Sequence, residues 1–344
     1  MTLRLDQILG QSAAIAAIER AYTLDRLPHG LIFAGPAGVG KGTTAAALAK
    51  LFLCDDPSKT APCGTCPACR AFDAGTHPDY HIVERRLIRL TKSESKARDL
   101  SIDVVRDYLV AAANMRAALN RGKVFIVEDA DLMNPHAQNS LLKTLEEPAG
   151  RTLIILLTDQ LDALLPTIRS RCQTIHFAAL DQSLAREELQ RRGIDPRAAA
   201  EAAAFSEGSL GVALNWIRDG VIDRARDLVR QLDSAMSGRG SGAALADWLR
   251  AAGDAYAEAQ LKLDEKASKD QCAREGLTLY LKLAAQFFRR RLPDLGDDPD
   301  ALERACQSID AIVRAEQYLD CNVSVPLALQ QLALTLEQTY AQPA

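Results

Sequence analysis

One stretch limits the fold of this chain more than any other: residues 31–44, LIFAGPAGVGKGTT. Leu31–Ala34 is a short apolar run, glycines stand at 35, 38 and 40, and Lys41 follows directly. Residues 41–53 (KGTTAAALAKLFL) then read as a helix. A buried strand that enters a helix through a glycine-rich turn points several backbone N–H groups at one anion, and the helix start adds its positive dipole end. Gly35, Gly38 and Gly40 would form the cradle, and Lys41 would reach the β- and γ-phosphates. The next position calls for a hydroxyl to ligate Mg²⁺, and the chain supplies Gly42. Thr43 lies one step on, rotated by ~100° around the helix, and should not replace that hydroxyl. The loop therefore suits ATP with Mg²⁺, but with one metal ligand missing; nucleotide binding is compatible with this and efficient hydrolysis is not expected.

The remaining strand signals alternate with helices. Tyr80–Val83, Lys123–Val127, Thr152–Leu157 and Gln173–Phe177 read as strands. Helices are expected over 12–26, over 101–115 with Ser101 as N-cap, from Asn134-Pro135 to Glu147, and around Pro166 within 161–171. Residues 84–100 are charged and read as a mobile loop. Such alternation implies an α/β P-loop domain with a mostly parallel sheet covered on both faces. After Leu180 strand signals stop. Residues 181–236 read as helices with turns at Gly193, Asp195-Pro196 and Gly208, SGRGSG (237–242) as a linker, and 243–337 as helices broken near 293–299. The expected domains are 1–178, nucleotide-binding; 179–236, a small helical lid; and 243–344, an all-helical C-terminal domain.

Three further constellations carry chemistry. The third strand ends in VFIVEDAD, where a carboxylate would hold Mg²⁺ through water and its neighbour would orient the attacking water. The usual order is Asp then Glu; here it is Glu128 then Asp129, and Asp129 has one methylene less reach. The plain alternative is a solvated strand end. Cys54, Cys63, Cys66 and Cys69 form C-x₈-C-x₂-C-x₂-C, a soft four-thiolate set suited to a closed, structural Zn²⁺ site; the alternative is a group of free thiols. The other cysteines, at 172, 272, 306 and 321, read as small core residues. Finally, Arg169-Ser170-Arg171-Cys172 precedes the fifth strand. An Arg at the rim of such a fold can reach a neighbouring subunit's γ-phosphate, although a surface Arg is often only a solvated charge.

The run NSLLKTLEEP (139–148), set between VFIVEDAD and LIILLTDQ…LLPTIRSRCQ, resembles bacterial clamp-loader subunits of the AAA+ superfamily. The phosphate loop with its lead-in LPHG and the four-cysteine insert are similar to theirs; the likeness is dense over 6–178 and thin beyond. The resemblance implies that Thr158 is the first sensor, that Asp6–Gln11 lies beside the adenine, and that Arg171 is a finger acting in trans. It also implies partners: gamma/tau and delta clamp-loader subunits, with the sliding clamp and primed DNA reached through the complex. Gly42, Glu128-Asp129, and Gly208-Ser209-Leu210-Gly211 where the second sensor Arg would stand depart from the ATP-hydrolysing gamma/tau pattern. They point to a subunit with weak or no hydrolysis of its own within the replicative polymerase assembly, and a length without the gamma/tau extension is consistent with this. Alternatives are a gamma/tau-type ATPase, or a branch-migration or initiator-type ATPase. The latter would need a C-terminal winged helix, for which 243–337 shows no β signal and no basic cluster except Arg289–Arg291. A zinc enzyme is disfavoured because four thiolates leave no open position.

A formal net charge of −4 gives no global positive field toward nucleic acid. The start, MTLRLDQILGQ, has no apolar signal core, and no apolar run is long enough to span a bilayer, so a cytoplasmic location is expected.

Overall fold

The computed structural model describes residues 4–58, 60–91, 99–119, 121–237, 241–264, 267–296, 298–321 and 323–341. Five strands, β1 (Gly30–Ala34), β2 (Tyr80–Val83), β3 (Lys123–Val127), β4 (Thr152–Thr158) and β5 (Gln173–His176), form one parallel sheet in the order β2-β3-β4-β1-β5. The three inner strands are buried along their whole length, as expected of a sheet covered on both faces, while the edge strands β2 and β5 are only partly buried.

Period-two alternation sorts the strand residues into two apolar layers. Leu31, Phe33, Val124, Ile126, Leu153 and Ile155 face one layer with Ile15 and Ile18 of α1 (Ser12–Thr23) and Leu48 and Leu51 of α2 (Lys41–Leu53). Ile32, Phe125, Val127, Ile154 and Leu156 face the other with Val105 and Leu109 and with Leu141 and Leu145 of a helix, Pro135–Glu146. Each such side chain, fully buried, contributes about 1.5–3 kcal/mol. Parallel pairing puts all five carboxyl ends on one edge: Ala34 pairs with Thr158 and His176, and Val127 with Leu156. Loops leaving that edge converge where ligands bind in open α/β sheets.

The chain divides into two compact units. One comprises residues up to Gly193 with Ser206–Val212; the other comprises Ile194–Phe205 and Ala213 onward. The second unit is all helical. Val221–Met236, Gly242–Leu263, Lys269–Arg291, Pro299–Asp320 and Val325–Ala341 surround a core in which Tyr280 and Phe288 are buried and Trp248 meets Tyr280 edge-on at 5.6 Å. The arginine triplet ends a helix. Arg290 donates to the Ala204 carbonyl and Arg291 pairs with Asp233 at 2.7 Å, both within that unit. Among the described residues no helix is long and apolar enough to cross a membrane.

Four expectations change. Residues 85–91 are not open loop: Arg85–Leu87 forms a 3₁₀ turn and Ile88–Thr91 a short helical turn, while 92–98 lie outside the described residues. The helix over 101–115 is interrupted, with a π-helical Val105–Val110 between Ile102–Val104 and Ala111–Ala113. The stretch 161–171 is a 3₁₀ turn, Leu161–Ala163, followed by Pro166–Arg169. Cys306 and Cys321 are exposed rather than core residues; Cys272 is buried and Cys172 half-buried. Positions 238–240 of the expected linker lie outside the described residues.

Candidate nucleotide pocket, arginine finger and metal centre

The phosphate loop sits at the carboxyl edge because β1 ends at Ala34 and α2 starts at Lys41. Gly38 and Gly40 carry φ of 71° and 103°, which glycine adopts without strain. Lys41 is almost fully buried and turned back onto its own loop. Its Nζ donates to the carbonyls of Gly35 (2.6 Å) and Pro36 (2.7 Å) and pairs with Asp159 at 2.7 Å. Asp159 directly follows Thr158, whose Oγ1 donates to Asp131 Oδ1 at 2.9 Å. The Asp159 backbone N–H donates to the same carboxylate at 3.2 Å.

Gly42 meets only Leu157 Cδ1, at 3.8 Å, when a Cβ is placed on it, so the missing side chain is not excluded by crowding. Thr43 is exposed, and Thr44 is buried with its hydroxyl donating to the Gly40 carbonyl at 2.9 Å. Neither neighbour stands in for a metal-ligating hydroxyl at position 42. Glu128 and Asp129 leave β3 as expected, with Asp129 in the left-handed region at φ 50° and 4.0 Å from Arg85. Burial, then the nearby Glu84 and Asp129 carboxylates, holds the Glu128 carboxyl above its ordinary range. The mouth thus carries several carboxylates, one of them already on the only loop lysine.

A second closure comes from Ser206–Val212. Ser209 Oγ donates to the Ala37 carbonyl (2.6 Å), and the Gly211 N–H donates to the Gly38 carbonyl (2.9 Å). A Cβ at Gly211 would lie 2.8 Å from the Gly38 oxygen. The position where a second sensor Arg would stand is therefore packed backbone-to-backbone on the phosphate loop. Gln11, buried, holds the loop from the other side: its Nε2 donates to Val39 (3.1 Å) and Ala178 (2.6 Å), and its Oε1 accepts from Ala178 N–H.

Arg171 lies at the opposite edge of the sheet. Leu31 pairs with Gln173, so Arg171 stands beside the start of β1; a Cβ on Gly30 would come within 3.3 Å of its carbonyl. The phosphate loop begins five residues further along, about 16 Å at strand rise. The Arg171 segment is fixed by Gln138 of α3 (Pro135–Glu146). Gln138 Nε2 donates to Met133 and Ala163, and its Oε1 accepts from Leu165 N–H at 2.7 Å. Arg171 Nε donates to Glu146 Oε1 at 2.6 Å and Nη1 to the Thr167 carbonyl at 3.0 Å. Arg169 instead pairs with Asp162 at 2.7 Å.

The four expected cysteines do come together. Their sulfurs all lie within 4.8 Å of one another, with Cys54–Cys66 and Cys63–Cys69 both at 4.0 Å. A tetrahedron of ~2.3 Å Zn–S bonds has sulfurs about 3.8 Å apart, so the cluster has metal-binding dimensions. Backbone N–H groups of Cys63, Cys66 and Cys69 donate to the sulfurs of Cys54 (3.2 Å), Cys63 (3.3 Å) and Cys66 (3.3 Å). Donors from Thr65 and Cys66 lower the Cys63 thiol to about 6, whereas burial raises Cys54 and Cys69. Arg121 ties the cluster to the domain by donating to the Cys54 carbonyl (2.9 Å). Cys172 is different: burial alone raises its thiol to about 12.

Sequence reading singled out neither Asp131, Asp159, Gln138 nor Glu146. Asp131 and Asp159 each follow a noted residue closely, and Glu146 lies within the run NSLLKTLEEP; Gln138, just before that run, gave no signal without the fold.

A family model described as "DNA polymerase III, delta subunit" matches residues 10–181, half of the chain. The chain is 42% identical over 144 residues to DNA polymerase III subunit delta' of Pseudomonas aeruginosa, covering 42% of this chain and 41% of that protein. It is 35% identical over 175 residues to subunit delta' of Bacillus subtilis, 51% of this chain and 50% of that one. It is 32% identical over 237 residues to subunit tau of Escherichia coli, 67% of this chain and 35% of that one. The matches span half or less of each relative's length.

Proposed function

The chain belongs to the DNA polymerase III delta-subunit family, and from that premise we propose that it serves as a delta'-type clamp-loader subunit with a degraded pocket of its own and a finger for a neighbour's. The observation that carries this reading is the placement of Arg171 at the sheet edge opposite the phosphate loop. A guanidinium there cannot serve Lys41's pocket, so any triphosphate it reads is held by another polypeptide. That polypeptide is a gamma/tau-type subunit. Arg171 neutralises charge as its γ-phosphate is cleaved, a contribution of ~10³–10⁵ in rate where a finger acts fully.

This chain's pocket supports the other half of the proposal. Lys41 is paired with Asp159, position 42 has no hydroxyl, and Gly211 packs on Gly38. Any bound nucleotide would have to displace those contacts, and hydrolysis would lack a metal ligand and a water-orienting Glu. The four cysteines hold Zn²⁺ as a closed structural site that fixes the insert between α2 and β2. The complex is hetero-oligomeric, joins gamma/tau and delta subunits in the cytoplasm, and acts on the sliding clamp and primed DNA. We retain the division into a nucleotide-binding domain, 1–178, a lid, 179–236, and a collar, 243–344, as part of the proposal.

The gamma/tau-type alternative draws support from the tau match, but Gly42, the Glu128-Asp129 order and Gly211 disfavour it. The purified chain, mixed with delta and gamma/tau partners and run on size exclusion, should enter one complex, and alone it should turn over ATP at background rate. Brisk hydrolysis by the lone chain would assign it to the alternative.

A further inference from the structure

Arg171 is not waiting free in this structure. Its Nε donates to Glu146 Oε1 at 2.6 Å, Nη2 lies against the same oxygen, and Nη1 donates to the Thr167 carbonyl at 3.0 Å and to Ser170 Oγ at 3.4 Å. Every guanidinium nitrogen already has a partner. A phosphate takes an arginine through two parallel N–H donors; Glu146 covers the Nε/Nη2 pair, and Thr167 and Ser170 take the Nη1 of the other.

The platform under Glu146 is buried, and its carboxylate is open to water. Leu145 is buried, and its carbonyl is bonded to the His29 ring at 2.5 Å, which locks the last turn of α3. The ion pair itself is open to water, with Arg171 34% and Glu146 47% exposed. Such a pair exchanges readily. Glu146 also stands at the negative end of its helix, where a carboxylate is electrostatically disfavoured. The helix end thus adds to the attraction that keeps Arg171 beside Glu146 until a phosphate competes for it.

We propose that Glu146 is a holster for the finger. Its carboxylate occupies the Nε/Nη2 edge of Arg171 in the unengaged chain, and a triphosphate at the subunit junction must displace it. Glu146 is a positioning residue acting through Arg171, and it sets how readily the neighbouring pocket is read. This inference rests on the trans-finger reading above.

The test uses the assembled complex with hydrolysing gamma/tau-type subunits and four versions of this chain: wild type, Glu146→Gln, Arg171→Ala and the double variant. ATP hydrolysis is followed across ATP and salt concentrations. Removing the competing charge should raise kcat/KM for ATP about two- to fivefold at low salt, the range an exposed pair can supply. The gain should shrink as salt screens the wild-type pair. The double variant should match Arg171→Ala alone. An unchanged or lower kcat/KM for Glu146→Gln, with Arg171→Ala still impaired, would overturn the holster and leave the finger standing. Wild-type hydrolysis with Arg171→Ala would remove the finger reading and the holster with it.

Discussion

Gly42 poses the sharpest question at the scale of single residues, because a side chain there meets nothing nearer than 3.8 Å. Gly42→Thr should therefore fold, with a melting temperature equal to or above wild type, since glycine is the poorer helix former by several tenths of a kcal/mol. It should still not hydrolyse ATP, because Asp129 remains short and Gly211 still packs on Gly38. Rapid turnover by this single variant would show that the hydroxyl alone was missing. Glu128 supplies a second check. Its carboxyl is raised by burial and by Glu84 and Asp129, so the folded chain binds that proton more tightly than the unfolded chain. Stability must then fall as pH rises from the ordinary carboxylate range through the raised one. Glu128→Gln should stabilise the chain at pH 7 and lose that advantage in acid, as read by melts at several pH values. A destabilised variant at pH 7 would mean that the charge is held by something favourable.

At the scale of elements, β1, α2, β2 and β3 were legible almost to the residue. Each is a short apolar run or a helix start bounded by glycine or proline. Asn134-Pro135 was legible for the same local reason: the Asn side chain accepts from Ala137 N–H at 2.9 Å. The π-helical interruption at Val105–Val110 was not, since its spacing still buries Val105 and Leu109 as an ordinary helix would. Nor were the pairs Lys41–Asp159 and Arg171–Glu146, 118 and 25 residues apart, because only the sheet order brings them together. The cysteine insert lies between these cases: its spacing gave the four sulfurs that cluster, while its tether through Arg121 needed the fold. Cys66 both contributes a sulfur and caps the Pro67–Asp73 helix by accepting from Cys69 N–H. Cys66→Ser keeps a capping oxygen but loses a soft ligand, so bound zinc should drop well below one per chain and the melting temperature should fall with it. Undiminished stoichiometry would argue against these four sulfurs as the zinc site.

At the scale of the whole molecule, the α/β unit has two sheet edges of different chemistry. The carboxyl edge keeps the phosphate loop, but its lysine is paired with Asp159 and its glycines are covered by Ser209 and Gly211. The amino edge carries Arg171 on a segment braced by Gln138. On the proposed reading, such a chain contributes to a nucleotide reaction from outside the pocket where it occurs. The proposal thus puts its activity in an assembly, while the cradle serves this chain as a packed strand–helix turn. The most direct measurement is ATP hydrolysis by the reconstituted complex carrying Arg171→Ala, with clamp and primed DNA present and assembly verified by size exclusion. The expected result is an intact complex whose hydrolysis falls at least tenfold at the affected junction, within the range of a lost finger. An intact complex that hydrolyses at the wild-type rate would contradict it.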